Sequence, residues 1–318
     1  MKKLTVSELA ARFMAGDHYG ILTHRRPDGD TVGCAALLCR ALRALGKEAW
    51  ILDNPDITPK YAPYWEGLTC PMDKPGLYLV SVDVASETLF PKGAGALEGQ
   101  VRLLVDHHGS NTGFAPEGLV ETKAAACGEI VLDLADKLGV KLDKPMAEAG
   151  YLALSTDTGC FRYANTTAAT LRWAAVCLEA GAGAYAINRA MFETTRFARL
   201  RLNAYLTEHM EFYAGGKVAL CSIPGELERE LGITADDMDD VSSFPRNVEG
   251  VQVAVTLRDT ADGTKLSVRA APGYNASEIC GYLGGGGHPG AAGASVAMPR
   301  EEAAQAVLEA MRKTGIEL

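Results

Sequence analysis

Through the first half of the chain, short apolar runs closed by turn formers alternate with longer stretches of helical period. The runs at 19–23, 49–52, 77–82 and 101–105 have the length and composition of buried strands. Helical periodicity covers 5–14, 31–45 (with Gly46 as its stop), 125–138, 145–154 and 168–180. Strands that are apolar on both faces and alternate with helices imply a parallel sheet covered by helices. The Pro-rich stretch 55–75 reads as an irregular surface excursion. From 184 to about 212 the pattern is helical, until Gly215-Gly216 breaks it. Beyond the break, 218–223, 251–257 and 265–268 read as strands of a smaller sheet, with Asp262-Gly263 as a hairpin turn. A helix at 276–283, a glycine-rich loop and a last helix at 300–311 follow. The fold class expected is therefore α/β: a parallel sheet covered by helices, plus a smaller α/β domain with a mixed sheet. The expected domains are 1–185 and 215–318, joined by a helical linker over 186–214.

Composition narrows the function classes. At 318 residues, 47% hydrophobic and 22% charged, the chain has the profile of an ordinary two-domain globular protein. A formal net charge of -9 argues against stable binding along duplex DNA or on a membrane surface, though not against a local basic pocket. The eight Cys are scattered without a C-x-x-C pair, which suits small buried hydrophobes in a reducing compartment. No apolar run reaches the roughly 18 residues of a spanning helix. A cytoplasmic protein is expected.

Four segment ends then deliver acids and imidazoles. They are His24 with Asp28 and Asp30, then Asp83, then Asp106-His107-His108, then Asp157. At least three follow predicted strands, and the carboxyl edge of a parallel sheet is where ligands collect. Crowded carboxylates repel one another unless cations neutralise them. Two divalent ions need about six protein ligands if water fills the open positions. His24, Asp28, Asp30, Asp83, His107 and Asp157 supply that set. Gly29 permits a bend, so that Asp28 and Asp30 of an extended turn reach different ions. Mixed imidazole and carboxylate ligation suits two Mn²⁺ ions, with Mg²⁺ as the alternative.

The series His-x-x-x-Asp-x-Asp, Ser-Val-Asp, Asp-His-His and Asp-Thr-Gly resembles the DHH phosphoesterase superfamily over nearly the whole chain. The run 284–293, Gly-Gly-Gly-Gly-His-Pro-Gly-Ala-Ala-Gly, resembles the signature of the C-terminal DHH-associated domain. The length and the segment 161–167 look most like the branch of nano-RNases (oligoribonucleases) and pAp phosphatases. The resemblance implies that the six residues bind metal, with Asp83 bridging. It implies that His108 faces the scissile phosphate while Asp106 orients the site. In the second domain Arg269, His288 and the Gly286-Gly287 backbone would grip a nucleotide as that domain closes over the cleft, with Arg246 a weaker candidate. Arg162, after the Asp157 motif, is a further phosphate ligand. The expected enzyme hydrolyses short RNA or linear dinucleotides to mononucleotides, and 3′-phosphoadenosine 5′-phosphate (pAp) as well. The rivals are a cyclic dinucleotide phosphodiesterase, a RecJ-like single-strand exonuclease and a silent nucleotide-binding protein. A homodimer stays open.

Overall fold

The computed structural model describes every residue except Ala235 and Asp239. The chain divides into two compact units, Met1–Thr194 and Thr195–Leu318. The segment read as a linker contributes to both: a short helix and a π turn over 184–193 belong to the first, and the helix Phe197–Glu208 to the second.

The first unit holds a sheet of β1 (Lys2–Lys3), β2 (Tyr19–Leu22), β3 (Ala49–Leu52), β4 (Thr69–Cys70), β5 (Tyr78–Val82), β6 (Leu103–Asp106) and β7 (Glu117–Val120). All pairings are parallel, in the order β1-β7-β6-β5-β2-β3-β4. Alternate residues of the central strands β2, β5 and β6 enter two separate cores, which is why these runs are apolar throughout. Ile21, Val80, Leu103 and Val105 pack against α1 (Val6–Ala15), α2 (Gly29–Ala44), α3 (Cys127–Lys137), α4 (Lys144–Asp157) and α5 (Ala168–Glu179). Leu22, Leu79 and Leu104 face the other way, onto Val84, Phe90, Ala94 and Val101, so irregular chain and 3₁₀ turns cover that side. From β2 the chain runs outward to β3 and β4, then returns to place β5 on the other side of β2. The reversal of direction thus lies between β2 and β5, where open α/β sheets form their ligand crevice.

Helices approach α4 unusually closely. A Cβ on Gly33 of α2 would stand 2.3 Å from the Ala149 carbonyl oxygen, and one on Gly29 would stand 2.3 Å from Thr156 Oγ1. A Cβ on Gly128 of α3 would lie 2.6 Å from the Ala153 methyl. This corrects the expected role of Gly29. The residue is helical, inside α2, and it is glycine because α4 leaves no room for a side chain.

The second unit has a mixed sheet ordered β12-β13-β11-β10-β9-β8. Its strands are β8 (Glu211–Tyr213), β9 (Val218–Ile223), β10 (Val253–Thr260), β11 (Gly263–Ala270), β12 (Gly286–His288) and β13 (Ala291–Val296). One face packs on the helices Ala276–Gly281 and Arg300–Lys313, and the other on the Phe197–Glu208 helix and Val241. The periodicity read as helix to about 212 therefore ends in a strand, β8. The glycine run is corrected as well. Gly286–His288 is an edge strand paired with β13, not a loop. Cβ atoms on Gly285 and Gly287 would meet the β13 backbone at 2.2 and 2.6 Å, so only glycine admits this pairing.

Candidate metal centre

Strand ends and helix ends bring the acids and imidazoles of the first unit together. His24 follows β2, Asp83 follows β5, and Asp106 closes β6, so three contributions come from adjacent strands of the crevice. Asp28 is the N-cap of α2, where its Oδ1 accepts from the Asp30 and Thr31 backbone N–H groups at 3.1 and 3.2 Å. Asp30 stands in the first turn of α2, and Thr31 Oγ1 donates to the Val82 carbonyl at 3.1 Å, tying that helix to the end of β5. Asp157 is the last residue of α4.

Three groups of possible ligands result among the described residues; beside Asp83 with His107 and His108, two triads have no residue in common. His24, Asp28 and Asp83 form one, and Asp30, His107 and Asp157 the other. His24 Nε2 lies 3.6 Å from Asp28 Oδ1 and 3.7 Å from Asp83 Oδ2. His107 Nε2 lies 3.7 Å from Asp30 Oδ2, 3.6 Å from Asp157 Oδ2 and 3.6 Å from Asp83 Oδ1. The two oxygens of Asp83 thus face different triads. These spacings are too long for good hydrogen bonds. Donors held about 2.0–2.2 Å from one ion stand about 3.4 Å apart at tetrahedral angles. The observed separations are within a few tenths of an ångström of that.

The hydrogen bonds behind the imidazoles fix their tautomers. His24 Nδ1 donates to the Arg25 carbonyl at 2.8 Å, and His107 Nδ1 donates to the Ala124 carbonyl at 3.1 Å. A carbonyl only accepts, so each Nδ1 carries the proton and each Nε2 turns a lone pair inward. His108 is arranged the other way. Its Nδ1 donates to Asp106 Oδ1 at 2.7 Å, and although Asp83 Oδ1 is 3.5 Å from the same nitrogen, that nitrogen holds a proton. The His108 ring is 42% exposed, the most open of the three imidazoles here.

The electrostatics of the triads call for cations. Burial pushes the Asp30 and Asp83 carboxyls well above the usual range, and neighbouring carboxylates add to it. Burial, with Asp28 beside it, raises Asp157 to about 6 despite the His107 imidazole. Asp83 Oδ1 is buried with no hydrogen-bond partner, a costly state for a carboxylate oxygen. Asp106 behaves differently. Burial alone would raise it, but donors from His108, Asn111 and the backbone hold it below the carboxylate range. In return, the hydrogen bond to Asp106 raises the His108 pKa against the effect of burial.

Several supporting residues were not legible as such. Asn111 Nδ2 donates to Asp106 Oδ2 at 2.6 Å. Asp30 accepts from the Cys127 and Gly128 N–H groups at the start of α3, at 2.6 and 2.9 Å, and from Cys34 Sγ at 3.2 Å. Asn54 Nδ2 donates to the His24 carbonyl at 2.9 Å. Asn165, in the stretch 161–167, donates from Nδ2 to the Asp157 carbonyl at 3.1 Å.

The expected substrate-binding residues fall in both units. Arg162 is exposed in the first; its Nε donates to the Gly159 carbonyl at 2.6 Å and its guanidinium lies over Phe192. In the second, Arg269 pairs with Ala291 in the β11–β13 register, and His288 pairs with Ala291 from the other side. Directly opposed residues share a face, so Arg269 and His288 flank the small Ala291 on one side of the sheet. Two strand spacings put their Cα atoms about 10 Å apart. Arg246 is exposed at the end of a 3₁₀ turn. Tyr61 and Trp65, aromatics of the Pro-rich excursion, are buried in the first core.

Known proteins resemble the chain in sequence and in fold. Residues 18–154 match the DHH family, N-terminal domain, and residues 215–314 match the DHHA1 domain. The chain is 38% identical to the bifunctional oligoribonuclease and PAP phosphatase NrnA of Thermus thermophilus, over 92% of this chain and 89% of that protein. An exopolyphosphatase-related protein from Bacteroides fragilis shares the fold with a TM-score of 0.88 at 22% identity, over 97% and 95% of the two chains. The exonuclease RecJ, solved bound to manganese, shares it more distantly, with a TM-score of 0.53 at 15% identity, over 98% and 96%.

Proposed function

The chain belongs to the DHH family, in the form in which a DHHA1 domain follows the DHH domain, and from that membership we propose a two-metal phosphoesterase that cleaves short oligoribonucleotides and linear dinucleotides to mononucleotides, and pAp as well. The observation that carries the chemistry is the pair of triads with one oxygen of Asp83 toward each. His24, Asp28 and Asp83 would hold one ion, and Asp30, His107, Asp157 and Asp83 the other. The mixed imidazole and carboxylate donors favour Mn²⁺ over Mg²⁺. When bound, the paired ions supply Lewis acidity for activating water and for neutralising charge on the phosphoryl group.

The remaining tasks fall to the protein. Asp106 holds the His108 ring through Nδ1 and raises its pKa, so the ring in its protonated form can donate from Nε2 to a phosphoryl oxygen as charge develops there. Asn111 and the His107 N–H pin Asp106 in turn, at 2.6 and 2.8 Å. The fixed Nδ1 bonds of His24 and His107 keep both Nε2 lone pairs turned into the acid clusters, where they would meet a cation. We assign nucleotide recognition to the second unit, where Arg269 and His288 share a face and suit a terminal phosphate. Gly286 and Gly287 leave the edge strand without side chains, so backbone can approach the ligand; Arg162 and Arg246 are auxiliary cations. The choice of very short RNA and pAp is supported by the name of the Thermus thermophilus relative. Eight free thiols suit the reducing cytoplasm.

The test is release of mononucleotide from pApA with Mn²⁺ and with chelator, beside pAp, a cyclic dinucleotide and a 20-mer. Fast Mn²⁺-dependent cleavage of pApA and pAp supports the reading. Preference for the cyclic dinucleotide or the 20-mer replaces it with one of those activities. Nucleotide binding without turnover of any substrate replaces it with a binding protein.

A further inference from the structure

Asn165 sits in the stretch that follows the Asp157 turn, and the chemistry above makes no use of it. Its Nδ2 donates to the Ala125 carbonyl at 3.1 Å and to the Asp157 carbonyl at 3.1 Å. A primary amide has two N–H donors, so one nitrogen serves both acceptors. The Asp157 carbonyl is among the last of α4, which the helix itself leaves without a donor. The Ala125 carbonyl belongs to a segment that already meets the other two members of the same triad. Ala124 accepts from His107 Nδ1 at 3.1 Å, and the N–H groups of Cys127 and Gly128 grip Asp30 at 2.6 and 2.9 Å. Asp30, His107 and Asp157 come from α2, the end of β6 and α4, and segment 124–128 touches the first two directly. Asn165 supplies the third connection.

We propose that Asn165 is a positioning residue that ties the end of α4 to segment 124–128, so that Asp30, His107 and Asp157 form one preset metal site. It acts through main chain and touches no ligand side chain. The Glu129 carboxylate anchors the same segment from behind, accepting from the Ala125 N–H at 3.2 Å and from Thr170 Oγ1 at 2.5 Å. The His24, Asp28 and Asp83 triad has no bond to Asn165, so the effect is confined to one of the two ions. The proposal rests on the metal-site reading above and is tested separately from it.

The residue is exposed, so its replacement spares the core. The experiment is calorimetric titration of Mn²⁺ into the metal-free full chain, for wild type, Asn165→Ala and Asn165→Leu. Leu keeps the side-chain size without charge or donor. Outer partners of metal ligands typically govern about 10–100-fold in affinity. Both variants should bind one Mn²⁺ as wild type does and the other at least about tenfold more weakly, while the melting temperature of the metal-free protein holds. Wild-type affinity for both ions in Asn165→Ala overturns the proposal. So does a loss in Asn165→Ala that Asn165→Leu restores, since spacing rather than donation would then matter. Equal weakening of both ions with a fallen melting temperature overturns it too, as general destabilisation. A wild-type chain that binds fewer than two Mn²⁺ ions refutes the metal-site reading instead.

Discussion

The close approach of α2 and α4 at Gly33 makes a single methyl group a sharp probe of the site. Gly33 lies in the second turn of α2, about one turn beyond Asp30, and a Cβ there would stand 2.3 Å from the Ala149 carbonyl oxygen and 2.9 Å from the Ala153 methyl. Comfortable contact needs about 3.5 Å, so Gly33→Ala must part α2 from α4 by about 1 Å. Overpacking of this kind costs about 1–3 kcal/mol. The gain in helix propensity on leaving glycine returns up to about 1 kcal/mol. The middle of the first range less the full return leaves a net loss of about 1 kcal/mol, which in a unit of this size lowers the melting temperature by about 2–4 °C. Asp30 and Asp157 ride on the two separated helices, and functional constellations tolerate only about 0.5 Å. Mn²⁺ affinity should therefore fall together with stability. The matched control is Gly281→Ala, in the helix Ala276–Gly281, where a new Cβ meets nothing within 4 Å. That change should be neutral or slightly stabilising. Thermal melts of both variants without metal, and calorimetry with Mn²⁺, decide the matter. A Gly33→Ala protein that melts like the control and binds both ions like wild type would refute the account of α2 and α4.

Three further expectations follow from the site. Asp83→Ala removes the residue facing both triads, so it should cut Mn²⁺-dependent hydrolysis of pApA by more than about 100-fold and lower the Mn²⁺ stoichiometry; retained turnover sinks the shared-ligand arrangement. In metal-free protein Asp30, Asp83 and Asp157 hold protons more tightly folded than unfolded, so stability falls as pH rises from about 4 through about 6 for Asp157 and higher for the buried pair. Melts in chelator should accordingly rise in temperature from pH 7.5 to 5.5, and calorimetry at pH 6 should show proton release on Mn²⁺ binding; a flat melt profile without proton release contradicts the raised carboxyls. His288→Ala should weaken binding of a non-hydrolysable dinucleotide by about 10–100-fold, as loss of a hydrogen bond to a charged group does, with metal content unchanged; unchanged affinity removes His288 from recognition.

How much of this was legible in sequence depends on the range of the forces involved. His24, Asp83 and Asp106–His108 could be placed because each follows an apolar run whose period marks a buried strand, and the parallel class then fixed their common edge. Asp28-Gly29-Asp30 looks like a turn locally, yet the Asp28 cap and the close approach of α4 begin the helix there. That choice is made by tertiary contact, which no window of sequence contains. Strand β7 has only Leu119 and Val120 as apolar markers and owes its existence to β6 and β1 on either side. The glycine run hides an edge strand because its requirement, an absence of Cβ atoms against β13, is a property of the partner. Asn165 and Asn111 work through single hydrogen bonds to distant main chain or side chain, and composition carries no trace of such bonds.

The backbone at Asp83 adopts a left-handed conformation, φ +58°, directly after β5. Only glycine, asparagine and aspartate occupy that region readily. Position 83 must therefore satisfy two filters at once, one conformational and one chemical. Glutamate keeps the carboxylate but carries a conformational cost at the first filter, glycine passes the first and fails the second, and asparagine passes the first with a neutral, weaker donor. Mutational drift at this site is thereby channelled. A descendant of this fold that gave up hydrolysis would be expected to carry Asn or Gly here rather than a random residue, so that the loss of catalysis could be read from one codon while the fold stayed intact.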